Sequence, residues 1–128
     1  MGAAIDRTAF DTAQEQYQGY AMTWANCMAE ARALRERIAY LEWAQDQAEA
    51  SFVSAGLEGR NAEERKADLH LRLNADPAYL ANQREMDDLR GELARVTDQA
   101  ADASSQMAMY RRMMDWEIAL LRARTEGN

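Results

Sequence analysis

The chain has 128 residues, with 15 Lys+Arg against 22 Asp+Glu, a formal net charge of −7, and only six Gly, one Pro, one His and one Cys. That length suits one domain or one elongated hairpin, and so few turn residues exclude a sandwich or barrel, which needs turn signals every ~8–12 residues. The acidic balance offers no segment able to neutralise a run of phosphates, so strong autonomous binding to DNA, RNA or an anionic membrane is not expected.

The opening residues Met1, Gly2, Ala3, Ala4, Ile5, Asp6 and Arg7 have no basic region followed by an apolar run, so no signal peptide is expected. Asp6 stands where a myristoylation motif wants Ser or Thr. Thr8 is read as a helix cap, with Asp11 near the positive end of the helix. From Phe10, steps of three and four reach Ala13, Tyr17, Tyr20, Trp24, Cys27, Ala31, Leu34, Ile38, Leu41, Gln45, Ala48 and Phe52; twelve of these thirteen positions are apolar or aromatic. This 3.5-residue repeat is the pattern of a coiled-coil seam. It predicts a helix from about Thr8 to about Ser54, roughly 70 Å long.

Gly56 and Gly59 allow the chain to leave that helix. Asn61 then caps a short helix over about 62–73, and Glu64 completes an Asn-x-x-Glu capping box. Asp68 and Arg72 form an i,i+4 pair. Asp76 and Pro77 begin the third helix as cap and first-turn residue. Its seam runs through Tyr79, Asn82, Met86, Leu89, Leu93, Val96, Ala100, Ala103, Met107, Tyr110, Met114, Glu117 and Leu121, which predicts a helix to about Arg122. Gly19 and Gly91 lie inside the long helices at a cost of about 1 kcal/mol each. The expected fold is all-α: a long antiparallel helical hairpin of coiled-coil type, with a short helix at the connection, assembled into an oligomeric bundle. Aligning Phe52 with Tyr79 sets Trp24 opposite Met107, Tyr17 opposite Met114, Phe10 opposite Leu121 and Ala31 opposite Ala100. The small-residue stretch from Ala100 to Ser105 reads equally as a weak spot in the helix or a place where another helix crosses closely.

Few residues offer chemistry. His70 has no ligand set around it, and no Glu-x-x-His occurs. Cys27 falls on the seam as a small buried hydrophobe, without the base or electropositive setting a reactive thiol needs. A single cysteine without a disulfide partner fits a reducing, cytoplasmic location. The acidic pairs Asp87–Asp88 and Glu63–Glu64 read as solvated faces rather than acid/base machinery, since a two-helix hairpin has no deep cleft. No phosphate loop or nucleophile motif is present. Neither an enzyme nor a cofactor or metal site is expected.

Six of the eight methionines gather toward one end of the predicted hairpin, together with Trp24, Trp116, Tyr17, Tyr20 and Tyr110. Met22, Met28, Met109, Met113 and Trp116 fall off the seams. They form the candidate interface, either for self-association or for a foreign partner. The connection, with Gly59, Arg60, Asn61, Arg65 and His70, is the other candidate surface. Arg111, Arg112, Arg122 and Arg124, in the last third of the chain, could form a basic strip in an oligomer.

The stretch from Gly59 to Leu69, continuing through Asp76 to Tyr79, resembles a group of short coiled-coil proteins of tailed phages and prophages found near recombination or replication genes. The matching positions are Gly59, Asn61, Ala62, Arg65, Leu69, Asp76 and Tyr79. The resemblance implies a phage context and an accessory role in DNA metabolism, and it carries no catalytic residues. Small secreted hairpin proteins with Trp-x-Gly in the turn are excluded, because the turn here has no Trp. The leading expectation is a non-enzymatic adaptor or assembly factor that binds itself as a dimer or higher oligomer and meets a phage or host DNA-processing protein. The alternative is an acidic inhibitor that occupies a nucleic-acid-binding site on a host protein.

Overall fold

The computed structural model describes residues 7–127. The opening residues considered for a leader or an acyl group, 1–6, lie outside the described residues. Three helices follow one another: α1 (Thr8–Ala55), α2 (Ala62–Asn74) and α3 (Pro77–Glu126). No strand occurs among the described residues. The third helix continues four residues beyond the expected Arg122. Its last turn carries Arg124, a cation suited to the negative helix end.

The start of α1 corrects one expectation. The Asp11 amide donates to the Arg7 carbonyl at 2.8 Å, so Arg7, rather than Thr8, accepts the first helical bond and occupies the cap position. The other two starts follow the sequence reading. Asn61 has extended backbone (φ −139°), and its side chain accepts from the Glu64 amide at 2.9 Å. Glu64 Oε2 accepts in turn from the Arg60 amide at 2.6 Å, one residue before the amide a capping box normally engages. At α3, Asp76 Oδ1 accepts from the Ala78 amide at 3.0 Å.

The helices form two compact units. Among the described residues, the first joins 7–30 with 95–127, and the second comprises 31–94. In the first unit α1 packs against α3 along both predicted seams. Its buried residues are small: Ala13, Cys27, Val96, Ala100 and Ala103. The larger seam residues Phe10, Tyr17, Tyr20, Met107, Tyr110, Met114 and Leu121 are half-buried. Tyr20 stacks on Tyr110 with centroids 5.8 Å apart and planes 17° from parallel. That pair is the layer between Tyr17/Met114 and Trp24/Met107 in the expected register, so the antiparallel alignment holds there. Trp24 keeps 39 % of its surface exposed, because two helices alone cannot enclose an indole on their shared seam.

The second unit has larger buried side chains, Ile38, Leu41, Leu73 and Met86, alongside Ala31. Leu73 comes from α2, so this unit closes its core with three helical segments. Arg37 makes two bonds to Glu85, at 2.9 and 3.3 Å, and Arg90 reaches Glu42 at 3.3 Å. The expected Asp68–Arg72 pair forms at 3.0 Å. Gln45, the polar break in the α1 seam, has its Nε2 buried with no hydrogen-bond partner.

Candidate functional site

The candidate interface residues belong to the first unit, and their exposure follows from helical phase. Met109, Met113 and Trp116 each stand one position before a seam residue of α3. A one-residue step rotates the side chain about 100° around the helix, so these three miss α1. Trp116 is 65 % exposed, and Met109 and Met113 are 42 % and 46 % exposed. With Ala9, Arg112 and Glu117 they line an open groove of about 350 Å³. Met22 and Met28 are also exposed, at 68 % and 41 %. They lie on α1 and are absent from that groove's lining. The structure therefore brings together Met109, Met113 and Trp116 of the five expected residues.

A neighbouring groove of more polar character is lined by Tyr17, Ser104, Met107, Ala108, Arg111, Arg112 and Asp115. Arg111 is committed there. Its Nη2 donates to the Tyr17 hydroxyl at 3.1 Å, and its guanidinium lies 5.7 Å from the same ring's centroid. This engagement holds one member of the candidate basic strip against the protein's own surface. Arg112 lines both grooves.

In the second unit the connection is organised by its own hydrogen bonds. Gly56 and Gly59 have φ of +96° and +146°. A Cβ on Gly59 would come within 2.7 Å of the Arg65 amide nitrogen and of Glu64 Cβ, so that glycine is required by backbone conformation and space together. The Asp68 carboxylate accepts from the Glu58 amide at 2.9 Å while pairing with Arg72. One carboxylate thus ties the connection to α2, a link invisible in the i,i+4 spacing. Of the expected tip residues, Gly59 and Asn61 build the turn, while the side chains of Arg60, Arg65 and His70 are exposed. Cys27 is buried. Among the described residues, no group of three or more His, Cys, Asp or Glu side chains could hold a metal ion.

A second aromatic surface escaped the sequence reading. Arg37, Tyr40 and Trp43 follow one another at three-residue steps on α1. The Arg37 guanidinium lies 5.3 Å from the Tyr40 centroid, and Tyr40 and Trp43 have centroids 6.0 Å apart. Both residues are more than half exposed. Hydrogen bonding to Glu85, then its negative charge, raises the Arg37 pKa further above its usual range. The Arg-x-x-Tyr-x-x-Trp spacing was the available signal, since such residues share one side of a helix.

No family model, curated protein or solved structure matches the chain. Among the described residues, no helix is long and apolar enough to cross a membrane.

Proposed function

We propose that this chain is a non-enzymatic helical interaction protein. It acts as an adaptor or assembly factor in a phage DNA-processing complex and associates with itself as a dimer or higher oligomer. The observation that carries the interaction reading is Trp116, 65 % exposed on an open groove it shares with Met109 and Met113. Exposed apolar surface of this kind favours protein contact, and flexible methionines adapt to a partner's shape. The DNA-processing context rests on the resemblance through Gly59, Asn61, Ala62, Arg65, Leu69, Asp76 and Tyr79.

Affinity capture from the native host tests the reading. The parent chain should retain a DNA-processing protein, and the Met113→Glu/Trp116→Glu double variant should lose it. A catalogue with no such protein overturns the assigned process. The protein alone should bind DNA no better than about 10⁻⁴–10⁻⁶ M at physiological salt. Nanomolar binding abolished by charge reversal at Arg111 and Arg112 would replace the adaptor role with direct nucleic-acid binding.

The acidic inhibitor remains a second reading because exposed carboxylates, including Glu63, Glu64, Asp87 and Asp88, accompany the net charge of −7. It requires a basic partner whose affinity falls steeply with added salt. A salt-insensitive partner rejects it.

A further inference from the structure

Met109, Met113, Trp116 and Leu120 recur at steps of four, three and four on α3. They form a second heptad stripe beside the seam that faces α1. Met109, Met113 and Trp116 are exposed, and Leu120 is half-buried. In heptad terms Met113 and Leu120 occupy a, while Met109 and Trp116 occupy d. Arg112 is then at g and Glu117 at e, on opposite flanks of the stripe. Both line the groove. Neither forms an ion pair within the chain among the described residues. Glu117 is also half-buried on the α1-facing seam, an unfavourable position for a carboxylate without a cationic partner.

We propose that this stripe binds the same stripe of a second copy, with the two α3 helices parallel. The proposal rests on the self-association reading above and adds its surface, orientation and register. In a parallel pair, the g residue of one helix meets the e residue five positions later on the other. Arg112 therefore meets Glu117 of the second copy, and two-fold symmetry makes the contact twice. Antiparallel pairing of the same stripe sets g beside g and e beside e, so Arg112 and Glu117 fall on different flanks of the pair and cannot meet. The charges thus select the parallel orientation while the Met and Trp side chains supply the apolar contact.

A charge-swap cycle read by sedimentation equilibrium tests this arrangement. Arg112→Glu and Glu117→Arg should each raise the dimer dissociation constant about tenfold, because two symmetry-related pairs change from attraction to repulsion. The double variant should return to within about threefold of the parent. Circular dichroism checks that the helices remain. Independently, Met109→Cys should form a disulfide-linked homodimer on mild oxidation, since equivalent d positions face each other in a parallel pair; the parent, with only buried Cys27, should not. A dimeric parent with no charge-swap pattern and no Met109→Cys cross-link overturns this interface while leaving self-association intact. A parent that stays monomeric at ~100 μM, where even a micromolar dimer would form, overturns both.

Discussion

The two compact units share the same helical repeat but use it differently. In the second unit the buried positions hold Ile38, Leu41, Leu73 and Met86, with α2 supplying Leu73. In the first, four of the five buried residues are Ala or Cys, and Val96 is the largest. Its bulkier residues are half-buried on the seam, exposed there in the case of Trp24, or outside it altogether, as with Met109, Met113 and Trp116. A heptad pattern determines which side of a helix turns inward, whereas the side chains on that side determine how much apolar surface disappears. The second unit gains a third helical segment. The first has only two, and Met109, Met113 and Trp116 stay exposed beyond its seam.

The sharpest way to break this comparison is to delete the largest interior contact. Leu41 is 1 % exposed, and Leu41→Ala should cost about 2–5 kcal/mol through lost burial and the cavity left behind. Urea unfolding followed by far-ultraviolet circular dichroism gives the value. A loss below about 1 kcal/mol, well short of the usual range for such a truncation, would mean that the core readily collapses around the gap and is not specifically packed. The first unit should fail in the opposite direction. Ala103 is 2 % exposed on a tight two-helix seam, so Ala103→Leu should destabilise by about 1–3 kcal/mol through overpacking. If that variant is instead more stable, the first unit has unfilled interior space and the contrast disappears.

The sequence revealed the elements whose signals are local. The 3.5-residue repeat located both seams, and Tyr20 against Tyr110 supports the alignment inferred from residue size. Asn61 with Glu64, and Asp76 with Pro77, announced two helix starts because a cap needs particular residues at fixed short offsets. The Glu58 amide's bond to Asp68 was not legible, since it depends on the path between Gly56 and Gly59. Nor was the division into two units, which reflects packing rather than a break in periodicity. At the candidate interface, phase identified Met109, Met113 and Trp116 as outward residues. It could not distinguish them from Met22 and Met28, which do not line the same groove, because grouping across two helices depends on how the helices rotate against each other.

A smaller effect tests the turn chemistry of the second unit. Asn61→Ala removes the acceptor 2.9 Å from the Glu64 amide and should cost about 0.5–2 kcal/mol. Asn61→Asp should retain most of the stability, because a carboxylate also accepts that bond and suits the helix N-terminus. Chemical denaturation of the three proteins separates capping from a role in recognition. If Asn61→Ala unfolds with the parent but weakens partner capture, the connection is a binding surface rather than only a turn.

The smallest predicted change compares the units through equivalent lesions. Gly19 lies within α1 of the first unit and Gly91 within α3 of the second. A Cβ at either position would meet no atom within 4 Å beyond its own local backbone. Neither glycine therefore serves internal packing, and each Gly→Ala change should stabilise its helix by up to about 1 kcal/mol. Denaturant midpoints provide the totals, while amide hydrogen exchange assigns each gain to its unit. Equal gains would show that both helix segments are similarly formed in the isolated protein. A smaller gain at Gly19 would indicate that the first unit opens locally before the rest unfolds, as its small buried core leads one to expect. If Gly19→Ala also weakens self-association, the missing side chain at that position admits another helix, and the contact with the second copy extends from α3 onto α1.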